Sequence, residues 1–358
     1  MKKKELIIII IMVVIILIAG GAFLWYNLQL KPTNNPDSKE TTIVIESGMS
    51  TEQILEELKK QELINNVFAA KIFIKLNDIK GLQAGKYTLS SSMSLEELLN
   101  QITEGKVKDE KVKITFPEGK NMRWYAKEIA ANTNNTEQDV YDLLKDKEYL
   151  KSLINDYWFL TDEILNEDIY YPLEGYLYPD TYNFKDKDVS VKTIFKTLLD
   201  QEKKVLDEYR EKIEKSKYSV HQILTIASIV ELEGSSSVER SGIASVIYNR
   251  LKSNMSIGSD VTTYYAIKVD MSERNLYSAE INAYNPYNTR GPNMAGKLPV
   301  GPISSVSTSS ISATLDYGGT DYLYFVSDSN GKIYFSKTYE EHQSKIKELQ
   351  KQGLWYEY

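Results

Sequence analysis

Two glutamates, Glu231 and Glu233, close the apolar run TIASIVELEG at 225–234. A carboxyl group in that setting suits proton transfer. Burial beside apolar side chains and the negative end of a helix both favour the protonated acid. An acid still neutral near pH 7 is what general acid catalysis requires. On a helical wheel at about 100° per residue, the apolar arc holds Ile223, Leu224, Ile226, Ala227, Ile229 and Val230, with Thr225, Ser228 and Leu232 opposite. Glu231 falls between Leu224 and Ala227, and Glu233 between Ile226 and Ile229. Both carboxylates extend the apolar face, so the wheel does not choose between them. A helix end fraying into solvent would give the same pattern without any chemistry, at a cost of a few tenths of a kcal/mol.

Little else in the chain can carry a reaction. There is no cysteine, which excludes a thiol nucleophile, thiolate metal sites and a disulfide framework. The two histidines, His221 and His342, lie far apart and in no metal or triad spacing. No metal site and no cofactor is expected. A net charge of -7 with no basic domain argues against nucleic acid.

The elements that must position the two glutamates are legible. Gly234 is placed to end their helix in a left-handed cap. Ser236 and Glu239 then form a capping box that starts the next helix, which gives Glu239 a structural task. That helix, VERSGIASVIYNRLKS, carries Ile243, Val246, Ile247 and Leu251 on one side. Two helices joined by a tight turn can form one wall of a cleft. Upstream, a strand, a turn and an amphipathic helix recur three times, beginning at TTIVI, GKYTL and KVKITF. Ser50 with Gln53 and Ser94 with Glu97 supply two more capping boxes. Units of this kind resemble small LysM-like modules, which bind glycan; they would pack equally well with no ligand. YPLEGYLYPDTYNF at 171–184 reads as an ordered loop or short hairpin, and a long amphipathic helix is expected over roughly 189–217. Short strands near YLYFVS and KIYFS and a closing helix over about 338–352 complete an α+β chain.

Residues 6–26 form an uncharged apolar run, enough at about 1.5 Å per residue to cross a hydrocarbon core of about 30 Å. Lys2, Lys3 and Lys4 precede it, so the N-terminus is expected in the cytoplasm and the rest outside. The run is longer than a signal core and no small-x-small site follows, so an uncleaved single-pass anchor in the cell membrane is expected. The layout is then a cytoplasmic tail (1–5), a transmembrane helix (6–26), a linker (27–40), a LysM-like α/β subdomain (41–110), a connecting α+β subdomain (111–187) and a mixed helical and β catalytic domain (188–358).

Seven motifs in order give the chain a resemblance. They are LEGYLYPDTY at 173–182, IASIVELEG at 226–234, ERSGIASVIYNRL at 239–251, GSDVTTYYA at 258–266, NPYNTR at 285–290, LPVGPIS at 298–304 and YLYFVSDSNGKIYFS at 322–336. The sequence resembles the YceG-like endolytic murein transglycosylases. The resemblance implies cleavage of the bond between N-acetylmuramic acid and N-acetylglucosamine within nascent peptidoglycan glycan strands, leaving 1,6-anhydro ends. It places the catalytic acid at the first glutamate of SIVE, Glu231, and leaves Glu233 a supporting role. It points to Asp260, Thr262, Thr263, Tyr287, Asn288, Tyr178 and Asp180 as substrate-binding groups. It also implies wall-synthesis proteins, such as penicillin-binding proteins, as partners. A non-catalytic peptidoglycan-binding scaffold is the alternative. Val261 and Val300 stand where the family carries proline, and SSVSTSS at 304–310 replaces a more usual Asn-Pro-Gly.

Overall fold

The computed structural model describes residues 3–33, 40–104 and 111–355. Parts of the expected tail (residues 1–2) and linker (34–39) therefore lie outside the described residues. The first helix, α1 (Lys3–Gln29), contains one stretch, Ile10–Gln29, long and apolar enough to cross a membrane.

The chain divides into two compact units, residues 1–110 and 111–358. Beyond α1, the first unit contains β1 (Thr41–Ile45), α2 (Thr51–Lys60), α3 (Val67–Leu76), β2 (Gly85–Leu89) and α4 (Leu95–Thr103). β1 and β2 pair antiparallel, with Ile43 opposite Tyr87. Alternation along each strand sends Ile43, Ile45, Tyr87 and Leu89 to one face, where they bury against Leu55, Leu58, Leu98 and Leu99. The capping boxes at Ser50 and Ser94 form as the sequence requires. Helix α3 was not expected; Asn66 caps it, accepting from the Ala69 amide.

The second unit opens with β3 (Val112–Thr115), α5 (Met122–Asn132), α6 (Glu137–Lys145) and α7 (Lys147–Asp156). The Tyr- and Pro-rich loop follows and ends in β4 (Thr181–Phe184), which pairs antiparallel with β3. Next come α8 (Val191–Lys215), α9 (Val220–Glu233), α10 (Ser237–Lys252), α11 (Asp260–Ile267), the short α12 (Ser278–Ile281) and α13 (Thr308–Leu315). The β5–β6 hairpin (Tyr324–Ser327 and Ile333–Ser336) and α14 (Tyr339–Lys351) close the chain. One core runs from Val112 through α5–α8 to Ile223, Leu224 and Ala227 of α9, so it crosses residue 187 without a break.

Helix α9 is the centre of this unit, and it departs from the wheel. Thr225 and Ser228, placed opposite the apolar arc, are fully buried too. Their hydroxyls bond back to helix carbonyls: Thr225 Oγ1 donates to His221 O at 2.7 Å and Ser228 Oγ to Thr225 O at 2.8 Å. A hydroxyl satisfied that way can be buried at little cost. Ser228 Oγ also accepts from Ile303 N at 3.1 Å, tying a neighbouring loop to the helix. At its start, His221 Nε2 meets Val300 O, which can only accept, at 2.8 Å, and Nδ1 meets Tyr176 Oη at 2.8 Å. The histidine is thus a packed clamp.

Candidate active site

Gly234 follows α9 in an extended conformation, φ −118° and ψ 135°, not in the left-handed cap expected. Space, not φ, demands glycine here. A Cβ would stand 2.9 Å from Arg240 Cγ and 3.0 Å from Ile243 Cδ1. The turn is held by Arg240 of α10, whose Nε donates to Gly234 O at 3.2 Å. The Ser236–Glu239 capping box that starts α10 is present.

The two glutamates leave the last turn of α9 in different directions, two residues or about 200° apart. Glu231 is drawn inward. Arg240 Nη2 donates to its Oε1 at 2.7 Å. Its Oε2 accepts from Ser307 N at 2.9 Å, Ser307 Oγ at 2.6 Å and Ser310 Oγ at 2.7 Å. Its side chain is only 5% exposed. Ser307 is the N-cap of α13, so this carboxylate sits at the positive end of α13 as well as the negative end of α9. Glu231 therefore joins three helices and has one oxygen saturated.

Among the described residues Glu233 has one hydrogen-bond partner, Ser259 Oγ, which donates to its Oε1 at 2.6 Å. Its Oε2 has no hydrogen-bond partner among the described residues. Burial pushes this carboxyl above the usual carboxylate range; the Ser259 hydroxyl pulls it down, neighbouring Asp260 pushes it up, and Arg290 pulls it down. Arg290 is itself paired with Asp260 (Nη2 to Oδ2, 3.2 Å). Asp260 thus belongs to the surroundings of Glu233.

The other expected substrate contacts divide by burial. Thr262, Thr263, Tyr287 and Asn288 are all buried. Thr262 Oγ1 donates to Ser259 O at 2.6 Å, and Thr263 Oγ1 to Asn288 Oδ1 at 2.7 Å. Asn288 Nδ2 faces the carbonyls of Glu280, Ile281 and Ala283. Tyr287 Oη accepts from Tyr170 N at 3.2 Å, inside a cluster with Tyr170 and Tyr265. These four hold the loop that carries Arg290 against α11, and their polar atoms face protein. Tyr178 is partly buried, with Oη 2.8 Å from Thr308 Oγ1, one residue from Ser307. Asp180 is exposed and accepts from the Thr181 amide at 2.6 Å, at the mouth of β4.

Reading the sequence left out Glu174, inside LEGYLYPDTY. It is buried, and its Oε2 accepts from Met122 N and from Tyr265 Oη, both at 2.9 Å. Burial pushes its carboxyl up to about 7, against the pull of those donors and of Arg123. It ties the first turn of α5 to α11. The signal was a carboxylate, one of two with Asp180, set within an aromatic-rich loop. Gly175 beside it has φ +78°, and a Cβ there would meet Pro302 at 2.4 Å.

The profile of the YceG-like family matches residues 43–348. The chain belongs to the YceG-like family. It is 37% identical to an endolytic murein transglycosylase of Bacillus subtilis over 92% of this chain and 90% of that protein. It is 28% identical to a protein of the same name from Streptococcus pneumoniae, over 89% of this chain and 60% of the longer relative. A crystal structure described as a YceG-like protein of Listeria monocytogenes matches with a TM-score of 0.62 and 36% identity, covering 86% of this chain and all of that one.

Proposed function

We propose that this YceG-like chain is an endolytic murein transglycosylase whose single acid–base group is Glu233, with Glu231 holding the site in shape. One observation carries the reassignment from Glu231. Glu233 keeps one carboxyl oxygen without a hydrogen-bond partner among the described residues, and burial raises its affinity for a proton. Glu231 is committed as an acceptor to a guanidinium and three further donors.

The reaction needs one carboxyl because its two proton transfers are sequential. Glu233 gives its proton to the glycosidic oxygen as the bond from that oxygen to the muramoyl C1 breaks, and positive charge develops on the muramoyl ring. The carboxylate so formed takes the proton of the same sugar's 6-hydroxyl as that oxygen bonds to C1. The products are a 1,6-anhydro end and a free N-acetylglucosamine hydroxyl, and Glu233 is protonated again. Because the nucleophile is tethered to the reacting carbon, it needs neither an activated water nor the second carboxylate of ordinary glycosidases.

The helix Ile10–Gln29 supports a membrane anchor, and the lysines before it favour a cytoplasmic N-terminus with the catalytic unit outside. The order β1–α2–α3–β2, with its strands antiparallel, supports a LysM-like reading of residues 41–104. Purified peptidoglycan incubated with the full chain in detergent tests the reaction. Mass spectrometry should find anhydro-muramic ends with the wild type and none with Glu233→Gln. Reducing ends would mean hydrolysis. Strand binding with no cleavage by any form would favour the non-catalytic scaffold.

A further inference from the structure

We propose that a basic cleft beside the catalytic turn binds the acidic peptide stem carried by the muramoyl sugar. The inference rests on the murein-cleaving reading of Glu233. The cleft, of about 360 Å³, lies between the start of α5 and α11, with Leu232 in its wall. Leu232 separates Glu231 from Glu233 in sequence, so the cleft opens beside the helical turn that carries both glutamates.

Its charge is one-sided although the chain is acidic, at -7. Lys120, Arg123 and Lys127 line it against one carboxylate, Asp270. Arg123 meets that carboxylate, Nη2 to Oδ1 at 3.3 Å, so these two charges offset each other. Lys120 and Lys127 are exposed and form no ion pair among the described residues. Between them stands Trp124. Trp124 and Lys127 lie three apart on α5 and so share a face, Lys120 just before the helix lines the same cleft, and its Nζ lies 6.0 Å from the indole ring. An aromatic face flanked by two unpaired ammonium groups suits a ligand with a flat or apolar body and carboxylates at its periphery. Murein's sugars are uncharged. Its recurring anions are the carboxylates of the peptide on each muramoyl lactyl group, the sugar whose C1 reacts. A peptide leaving that sugar beside Glu233 would reach the neighbouring cleft first.

Binding of a soluble disaccharide–pentapeptide and of the same disaccharide without peptide, measured by calorimetry on the full chain, tests this without turnover. The wild type should bind the peptide-bearing form roughly tenfold or more tightly, a preference that shrinks as salt is raised. Lys120→Glu with Lys127→Glu should abolish the preference and leave peptide-free binding unchanged. The milder Lys120→Ala with Lys127→Ala should reduce it, and Glu233→Gln should keep it. Equal wild-type affinity for both ligands, or an intact preference in the charge-reversed protein, would overturn the assignment. Binding with the expected preference but no anhydro product from peptidoglycan would leave the cleft standing and refute the reaction.

Discussion

Replacing Glu231 by glutamine should damage the fold, and the same change at Glu233 should damage only the chemistry. Glu231 accepts from Arg240, Ser307 N, Ser307 Oγ and Ser310 Oγ while 5% exposed, and Arg240 is 15% exposed. Glutamine keeps one acceptor oxygen. If that oxygen faces Ser307 and Ser310, the amide NH2 confronts the guanidinium; if turned, it confronts three donors. Removing one partner of a buried charge pair costs about 3–5 kcal/mol, and the residual exposure of Arg240 puts the expectation near the lower end, about 3 kcal/mol. With a urea dependence of about 2–3 kcal/mol per M, the unfolding midpoint of residues 111–358 should fall by about 1 M or more. Glu233→Gln loses one bond from Ser259 and relieves a buried carboxyl, so its stability should stay within about 1 kcal/mol of wild type. Urea titrations read by hydrogen exchange in α9, α10 and α13 give the first quantity, and anhydro-muramic ends counted by mass spectrometry give the second. Product from folded Glu233→Gln, beside a stable but inactive Glu231→Gln, would refute the reasoning and return the acid to Glu231.

Three further outcomes follow from the same surroundings. Because the Ser259 hydroxyl favours the ionised form of Glu233 and Asp260 the protonated form, Ser259→Ala should move the alkaline fall of kcat/KM to higher pH and Asp260→Asn to lower pH, both read from pH–rate profiles. Glu174 has a folded value near 7 against about 4.3 unfolded, so its contribution is complete below about pH 4.3 and is lost as pH rises to 7, a change of about 3 kcal/mol. Glu174→Gln can keep both accepted bonds and should flatten that part of the stability–pH curve. Glu202 of α8 is fully buried with neither oxygen bonded among the described residues, and burial pushes its carboxyl well up; Glu202→Met should raise stability at pH 8 by about 1–3 kcal/mol, measured by urea unfolding.

Local rules carried most of the elements. The strand–turn–helix repeats correspond to β1–α2, β2–α4 and β3–α5, and each capping box read from Ser50, Ser94 and Ser236 is formed. What failed depended on distant partners. The wheel set Thr225 and Ser228 to the polar side because it counts a hydroxyl as polar wherever it lies. Bonded back to its own helix, a hydroxyl packs as an apolar group would. Gly234 looked like a left-handed cap, whereas its need is the close approach of Arg240. The hydrogen bonds that Thr262, Thr263 and Asn288 make to Ser259 O, to each other and to loop carbonyls are likewise contacts that no spacing reveals.

The proposed choice of Glu233 over Glu231 rests on contacts of the same distant kind, and it gives two equivalent carboxyls on one helical turn opposite tasks. The negative end of α9 acts on both and cannot separate them. The separation comes from what packs against each. The N-cap of α13, 76 residues downstream, supplies backbone and hydroxyl donors to Glu231, and Arg240 supplies a charge. Glu233 instead meets Ser259 and the Asp260–Arg290 pair, whose charges act on it in opposite directions, leaving burial as the first cause. Each role depends on the other. A proton donor must be held close to its working position for proximity to count, and a final helical turn normally frays. The four donors on Glu231 fix that turn from one side. On the proposed assignment, this leaves Glu233, two residues on, free to carry a proton without having to anchor the helix that carries it.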